Sequence, residues 1–552
     1  MLSLGVNLSH TSSACLARDA KVVVALAEER LSRIKHDTGF PWNAIRTCLD
    51  MADVRLADLD AICFSTSHPF GAVAHELKMM LRGQVPLSRA SVIELVRVFG
   101  WGFANPQSAF AAHIGRYPGE FRFVEHHLAH AIPAYVFSGF RDAAVAVIDG
   151  RGGWESTSIW HGTEGRLAPL RTIPWPNSLG LFYMTFTEHL GFKPLSDEWK
   201  VMGLAPYGRP GVSLKRFIDL DIKPYRVAAR LLLESKFGIG GIKRVLGPGR
   251  RPDDPISDRH RDLAFAVQGA CEQAMRNVAA MAIRETGANL LCLGGGVAMN
   301  AKGNGVILGS GLAEDVFVPP AAADDGAAIG AALAPFLDGG GRLPIARLDN
   351  VYWGPAYDDE IEGVLKRFKL PFREIDSPAE HAAGLLEAGR IIGWFQGRME
   401  FGERALGARS ILADPRPPEM KDRLNDAVKF RESWRPFAPS IQLEAAPKYL
   451  AGGRESPFMT TTFDVNPEFR EQLGAVTHVD GTTRPQTVKR ETNPLFWDLI
   501  EAFRERTGVP AVLNTSFNLQ GEPIVCKPED AIRTFFTSGL DDLILGNFLL
   551  EK

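Results

Sequence analysis

The sequence predicts an α/β protein: a duplicated, two-lobed domain followed by a second α/β domain. Two strand-turn units predict the duplication. Residues 2–4 start a short buried strand that breaks into a turn rich in small and hydroxyl residues at 5–13, and residues 143–148 form a continuous apolar run that opens into Asp149-Gly150-Arg151-Gly152-Gly153. Buried strands set between helical patterns are the mark of layered α/β architecture. The stretch Asp338-Gly339-Gly340-Gly341-Arg342-Leu343-Pro344 is the clearest linker in the chain. The expected organisation is therefore a first domain at 1–337, a linker at 338–349 and a second domain at 350–552.

The composition sets outer bounds. At 552 residues, 45% hydrophobic and 23% charged, usage is ordinarily globular, and the length allows three or four domains of common size. A formal net charge of −3 gives no basic footprint for nucleic acid. Cys15, Cys48, Cys63, Cys271, Cys292 and Cys526 form no CxxC pair, which argues against a disulfide framework and a zinc ribbon. The N-terminus runs straight into a strand pattern with no signal-peptide character. No apolar run reaches the ~18 residues of a membrane helix. A cytoplasmic protein with no nucleic-acid or membrane partner is expected.

In chain order, the turn at 5–13 offers backbone N–H groups and hydroxyls suited to a phosphate, or is a plain hairpin turn. Residues 22–27 read as a second strand. The charged run at 28–37, which holds Lys35 and His36, reads as a solvated face. A helix is expected at 42–51, a strand at 60–65 and mostly helix at 71–110. In Val124-Glu125-His126-His127-Leu128-Ala129-His130, helical spacing puts His126 and His130 on one face, one turn apart. Two such imidazoles chelate a divalent ion and lack a third ligand; His127 points elsewhere. Asp149, after its strand, could hold Mg²⁺ or a metal-bound water, or the Asp-Gly pair is a hairpin turn.

Residues 196–208 mix charges with Gly and Pro and read as a functional loop. Residues 215–251, locally basic, read as a solvated helical excursion. A long helix is expected at 263–286, and a third buried strand at 289–293. That strand opens into Gly294-Gly295-Gly296, where three glycines permit close approach of a ligand such as ribose or adenine, with Asn300 just beyond. Asp324 and Asp325 precede a helix of small residues. They are helix caps, or one of them completes a two-His, one-carboxylate site.

In the second domain, helix is expected at 359–368 and 530–536, and strand at 390–395, 509–513 and 542–545. Between them, Arg398, Arg404, Arg409, Lys429, Arg431 and Arg435 interleave with glycines and prolines. Arginines presented on loops point to bidentate capture of phosphate or carboxylate. Asn514-Thr515-Ser516 reads as a polar cradle at a strand end.

Several of these stretches together resemble the ATP-dependent O-carbamoyltransferase family that modifies antibiotics and nodulation factors. The likeness spans nearly the whole chain. It is carried by His126-His127-Leu128-Ala129-His130, the 202–208 and 294–300 motifs, residues 403–410, 429–432 and 435–439, and residues 514–518. Glu403 stands where relatives often carry Pro. The resemblance implies an actin/sugar-kinase-like first domain, similar to the tRNA threonylcarbamoyl transferase, and a YrdC-like second domain. It implies that carbamoyl phosphate and ATP (with Mg²⁺) give carbamoyl adenylate, and that a hydroxyl of a small-molecule acceptor then takes the carbamoyl group. His126, His130 and Asp324 would hold a divalent metal, iron in relatives. His10 would be the general base, and Lys35 becomes functional rather than merely solvated. Arg404, Arg409, Lys429, Arg431, Arg435, Arg484 and Ser516 would cradle the phosphates. Asp149, Gly150, Gly294, Gly295, Gly296, Asn300, Asn514 and Thr515 complete the nucleotide-binding set. A homodimer is the default assembly. Two alternatives stand beside this reading: a metabolite kinase of the actin fold, which would release ADP, and a threonylcarbamoyl-type tRNA-modifying enzyme, which would need a basic surface.

Overall fold

The computed structural model describes residues 1–9, 11–66, 106–236, 241–429, 432 and 434–552. His10, Arg431 and the expected helical stretch at 71–105 lie outside them.

Two sheets of one topology organise the first part of the chain. In the first, β1 (Leu2–Asn7), β2 (Ser13–Arg18) and β3 (Lys21–Ala27) form an antiparallel meander. Strands β4 (Ala61–Phe64) and β5 (Phe121–Phe123) add in parallel beside β1, giving the order β3-β2-β1-β4-β5. In the second, β6 (Asp142–Gly152), β7 (Glu155–Thr163) and β8 (Arg166–Pro174) form the meander. After a small ribbon of β9 (Ile218–Asp219) and β10 (Arg226–Val227), β11 (Leu290–Gly294) and β12 (Asp315–Phe317) add in parallel beside β6, giving β8-β7-β6-β11-β12. The same strand order with the same directions, twice, is the internal duplication of an actin/sugar-kinase-like domain. The run Ala143 to Ile148 is wholly buried, as expected of a central strand covered on both faces.

The two halves exchange helices. The helix His126–Val136 follows β5 of the first sheet but packs on β6 and β11 of the second. The helix Ala327–Leu333 follows β12 of the second sheet but packs on β1 and β2 of the first, and the two helices pack on each other. Small residues make this close packing possible. A Cβ at Gly5 would overlap the carbonyl oxygen of Ala328, and one at Gly330 that of Ala129. The Ser13 hydroxyl donates to Asp325 O at 2.7 Å. The exchange brings the start of the histidine helix and Asp324 to one place from residues nearly 200 positions apart in the chain.

By its contacts the chain separates into two compact units: Met1–Glu28 with His36–Leu348, and Glu29–Lys35 with Asp349–Lys552. The glycine-rich stretch runs along the first unit, where Leu343 N donates to Gly165 O at 2.9 Å and Leu348 N to Phe137 O at 2.9 Å. The second unit is built on a mixed eight-stranded sheet. Its strands are β13 (Arg373–Glu374), β14 (Ile392–Phe395), β15 (Arg409–Ala413), β16 (Ala438–Gln442), β19 (Gln486–Val488), β20 (Ala511–Ser516), β21 (Asp542–Leu545) and β22 (Phe548–Glu551), in the order β13-β22-β21-β14-β15-β20-β16-β19. A separate pair joins β17 (Phe463–Asp464) to β18 (Thr482–Thr483).

Four local expectations are corrected. The second-lobe strand does not end at Ile148; β6 continues through Asp149 and Gly150 to Gly152 across an irregular register opposite β7. The 196–208 stretch is largely the helix Glu198–Leu204 followed by a turn at Ala205–Tyr207. The run at 28–37 is no solvated face at its start, since Glu28, Glu29 and Arg30 are all buried. Asn514, Thr515 and Ser516 lie inside β20 rather than in a loop beyond it.

Candidate active site

His126, His130, Asp149 and Asp324 converge, with one potential ligand atom from each lying within 4.8 Å of all the others. Their positions follow from local structure. Glu125 caps the histidine helix, its carboxylate accepting from His127 N at 3.1 Å and Leu128 N at 2.9 Å, so His126 stands at the first helical position. One turn on, His130 Nε2 is 3.0 Å from His126 Nε2. The bulged path of β6 turns Asp149 inward, where its Oδ2 is 3.3 Å from His126 Nε2. Asp324 Oδ1 is 3.4 Å from His130 Nε2 and 3.6 Å from His126 Nε2.

Around these atoms, further bonds set orientation. His126 Nδ1 is 3.1 Å from Ser65 O, an acceptor only, so Nδ1 carries a proton and Nε2 is the atom turned toward the other three side chains. Asp149 Oδ1 accepts from Gly296 N at 3.0 Å. His127 is buried against the other side, its Nδ1 2.8 Å from Ser158 Oγ, and burial pushes its imidazole down to about 3. Burial also opposes charge on His126, but hydrogen bonds to Asp149 and Asp324 hold its imidazole well above its ordinary value. Asp149 stays ionised against both its burial and the nearby Asp324, because His126 and His130 face it. The cluster therefore attracts positive charge into a buried pocket. Two imidazole nitrogens and two carboxylate oxygens are a donor set for a first-row divalent ion such as iron, so the residues present fit the expected metal. Asp149 belongs with His126, His130 and Asp324 rather than apart from them. The available signal was an acidic residue at the end of a buried central strand.

The neighbouring glycines and Asn300 also make local contacts within the fold. Gly295 has φ +85°, and a Cβ there would meet the carbonyl of Ile148. Gly294 ends β11, and Gly150 O accepts from the Ser178 hydroxyl at 2.7 Å. The Asn300 side chain caps the helix Ala301–Gly309 through Gly303 N at 2.9 Å.

A second constellation sits in the second unit, on the irregular stretch between β14 and β15. Glu400 Oε1 accepts three main-chain N–H bonds, from Leu406 at 2.7 Å, Ala408 at 3.3 Å and Arg409 at 3.2 Å. Nothing in the sequence singled Glu400 out, since an acid among arginines reads as a counter-ion. Arg404 is presented from this loop. Its Nε is buried with no hydrogen-bond partner, and burial, opposed by Glu403, pulls its guanidinium below its ordinary value. Unsatisfied buried guanidinium N–H suits an anionic ligand. Lys429 is buried, and its ammonium donates to Ser516 O at 2.5 Å, Asn518 O at 3.0 Å and Asn518 Oδ1 at 2.8 Å. Arg435 lies 3.4 Å from Glu432. Arg484 is half-buried on the turn between β18 and β19, and Thr515 is half-buried within β20.

Two of the expected binding residues, Arg409 and Asn514, have their donors engaged by the protein, while the buried Asn514 Oδ1 has no partner. Arg409 is wholly buried, stacks on the Phe395 ring at 3.6 Å and donates to the carbonyls of Gln396, Ala408, Pro355 and Cys526. Asn514 Nδ2 is held by Ala405 O, Ser440 Oγ and Gln486 Oε1. Lys35 is exposed and belongs to the segment Glu29–Lys35 of this unit.

The model of the carbamoyltransferase N-terminus matches residues 3–333, and that of the carbamoyltransferase C-terminus matches residues 383–552. The chain is 40% identical to nodulation protein NolNO of Sinorhizobium fredii, an alignment that covers 100% of this chain and 80% of that protein. It is 44% identical to nodulation protein NolO of Bradyrhizobium diazoefficiens, over 78% of this chain and 79% of that protein. Among solved structures, component A of the (R)-2-hydroxyglutaryl-CoA dehydratase of Acidaminococcus fermentans is similar at TM-score 0.35 and 15% identity, covering 60% of this chain and 97% of that one. With both family models matched in order along one chain, and with these relatives aligned across most of it, the protein belongs to the carbamoyltransferase family and is an enzyme of that class.

Proposed function

We propose that the enzyme carbamoylates a hydroxyl of a small natural-product acceptor in two half-reactions, one in each unit. In the second, YrdC-like unit, carbamoyl phosphate, water and ATP give carbamoyl adenylate, phosphate and pyrophosphate. In the first, actin-like unit, the acceptor oxygen attacks the carbamoyl carbon, the bond to the AMP oxygen breaks and AMP leaves. The observation that carries the reading is the pairing of opposite electrostatics. The first unit holds a buried cluster built to attract a cation, and the second holds a loop presenting half-buried Arg404, whose buried Nε has no hydrogen-bond partner. The names of the relatives favour an acceptor of the nodulation-factor kind.

Each residue then has a task. Arg404, Lys429 and Arg435, with Arg431 and Arg484, bind the phosphates of carbamoyl phosphate and ATP and offset charge as pyrophosphate departs. Glu400 and Arg409 keep that loop in shape. Mg²⁺ accompanies the triphosphate. His126, His130, Asp149 and Asp324 would hold the divalent ion, iron by family likeness; when bound it supplies Lewis-acid polarisation of the nucleotide and acyl group. His10 takes the hydroxyl proton of the acceptor. Lys35, exposed on its segment, adds positive charge for the anionic substrate. All six cysteines are free and buried, and no helix among the described residues is long and apolar enough to cross a membrane; both favour a cytoplasmic setting.

The test needs no acceptor. Purified protein with ATP, Mg²⁺ and carbamoyl phosphate should release pyrophosphate strictly dependent on carbamoyl phosphate, with carbamoyl adenylate visible by mass spectrometry. ADP as the product would replace this reading with a kinase.

A further inference from the structure

The segment Glu29–Lys35 lies early in the sequence, inside the stretch matched by the N-terminal family model, yet it is part of the second unit. Its contacts fall on both sides of Arg404. Buried Arg30 donates from Nη2 to Gly402 O at 2.8 Å, two residues before Arg404. Leu31 packs against the cluster of Met399, Ala405, Ile524 and Cys526, which includes residues of the same loop before and after Arg404. Arg33 anchors the segment from behind. Its Nη1 donates to Ile524 O at 2.6 Å, its Nη2 donates to Pro523 O at 2.9 Å, and its Nε lies 3.4 Å from Asp530 Oδ1. Glu400 ties the far end of the same loop to three amides.

We infer that Arg30 and Leu31 are positioning residues for Arg404: the 29–35 segment sets the loop that presents the guanidinium to the anionic substrate. The reason is physical. The loop at 396–408 has no regular secondary structure. It carries glycines at 397, 402 and 407, all at positive φ, so its own backbone does little to hold it. The buried guanidinium-to-carbonyl bond at Gly402 and the packing of Leu31 on the cluster that includes Met399 and Ala405 hold the loop around Arg404. A displacement of about 1 Å in such a group costs on the order of 100-fold in rate.

This rests on the reading of Arg404 as a substrate-binding group, so the experiment has two arms on the full-length protein. In the first, hydrogen exchange is followed at the amides of residues 400–409 in wild type, Arg30→Met and Arg30→Lys, with thermal midpoints recorded. Faster exchange there in Arg30→Met, partly restored in Arg30→Lys, is expected; unchanged exchange overturns the inference whatever the reaction is. In the second, KM for carbamoyl phosphate and kcat are measured in the pyrophosphate-releasing half-reaction. Arg30→Met should lower kcat/KM by about 100-fold, while adding little further loss in an Arg404→Lys background. Fully additive losses would make Arg30 independent of Arg404 and overturn the positioning role. If wild type releases no pyrophosphate, the functional reading fails, and the exchange arm still decides the role of Arg30.

Discussion

At the residue scale, buried titratable groups divide into those that serve a site and those that only constrain pH. His189 ends the helix Leu179–His189. Burial, reinforced by Arg259, His260 and Lys243, lowers its imidazole from 6.5 to about 4. Its folded value lies below its unfolded one, so between those values the unfolded chain takes up a proton that the folded chain refuses. The stability it contributes is complete above pH 6.5 and is lost as pH falls through about 4. His189→Gln should therefore flatten the decline of the urea midpoint between pH 7 and pH 4. A variant profile parallel to wild type would remove His189 as its source. Arg409 and Arg404 teach a related lesson. Both are arginines of one motif, yet wholly buried Arg409 is saturated by main-chain carbonyls while half-buried Arg404 keeps an unused buried donor at Nε. Residue type and spacing cannot separate them, because satisfaction depends on where distant carbonyls fall.

At the element scale, the exchanged helices are the device that builds the first-unit site. Gly330 lies where the helix Ala327–Leu333 crosses the histidine helix, and a Cβ there would collide with the Ala129 backbone. Gly330→Ala is expected to destabilise by about 1–3 kcal/mol through overpacking, read as the loss in denaturant midpoint. It should also weaken divalent-ion binding, since the strain falls between His130 and Asp324. The control is Gly269→Ala on the helix Asp258–Thr286, where an added Cβ meets nothing within 4 Å. There the change should be neutral or stabilising by about 1 kcal/mol. Equal losses at both glycines would mean that helix contact is not the cause. Most of these elements were legible beforehand. The helix Trp42–Met51 and the strand Asp542–Leu545 fall where the pattern put them, because apolar periodicity and breakers are local. The course of β6 past Ile148 was not legible. Asp-Gly is a turn signal by local propensity, but the strand bulges there and resumes its pairing with β7 at Gly152.

At the scale of the whole molecule, two compact units with sites of opposite charge preference should respond to different ligands. Thermal unfolding is expected to resolve two transitions. Mn²⁺ as a probe should raise one, and pyrophosphate the other, each by an amount corresponding to about 2.7 kcal/mol at 100 times Kd. Asp149→Asn should abolish the Mn²⁺ shift and leave the pyrophosphate shift intact; one transition moved by both ligands would contradict separate sites. The amino-acid sequence by itself determined the α/β class, the duplication, the strands and helices that carry the motifs, and the paired histidines, since these rest on neighbours within a few residues. Tertiary structure alone decided that Asp149 joins His126, His130 and Asp324, that distant carbonyls and side chains engage the donors of Arg409 and Asn514, and that a segment near residue 30 serves a loop near residue 402. The reason is that a buried charge is defined by the partners that compensate it. Those partners come from across the chain, so no local pattern encodes them.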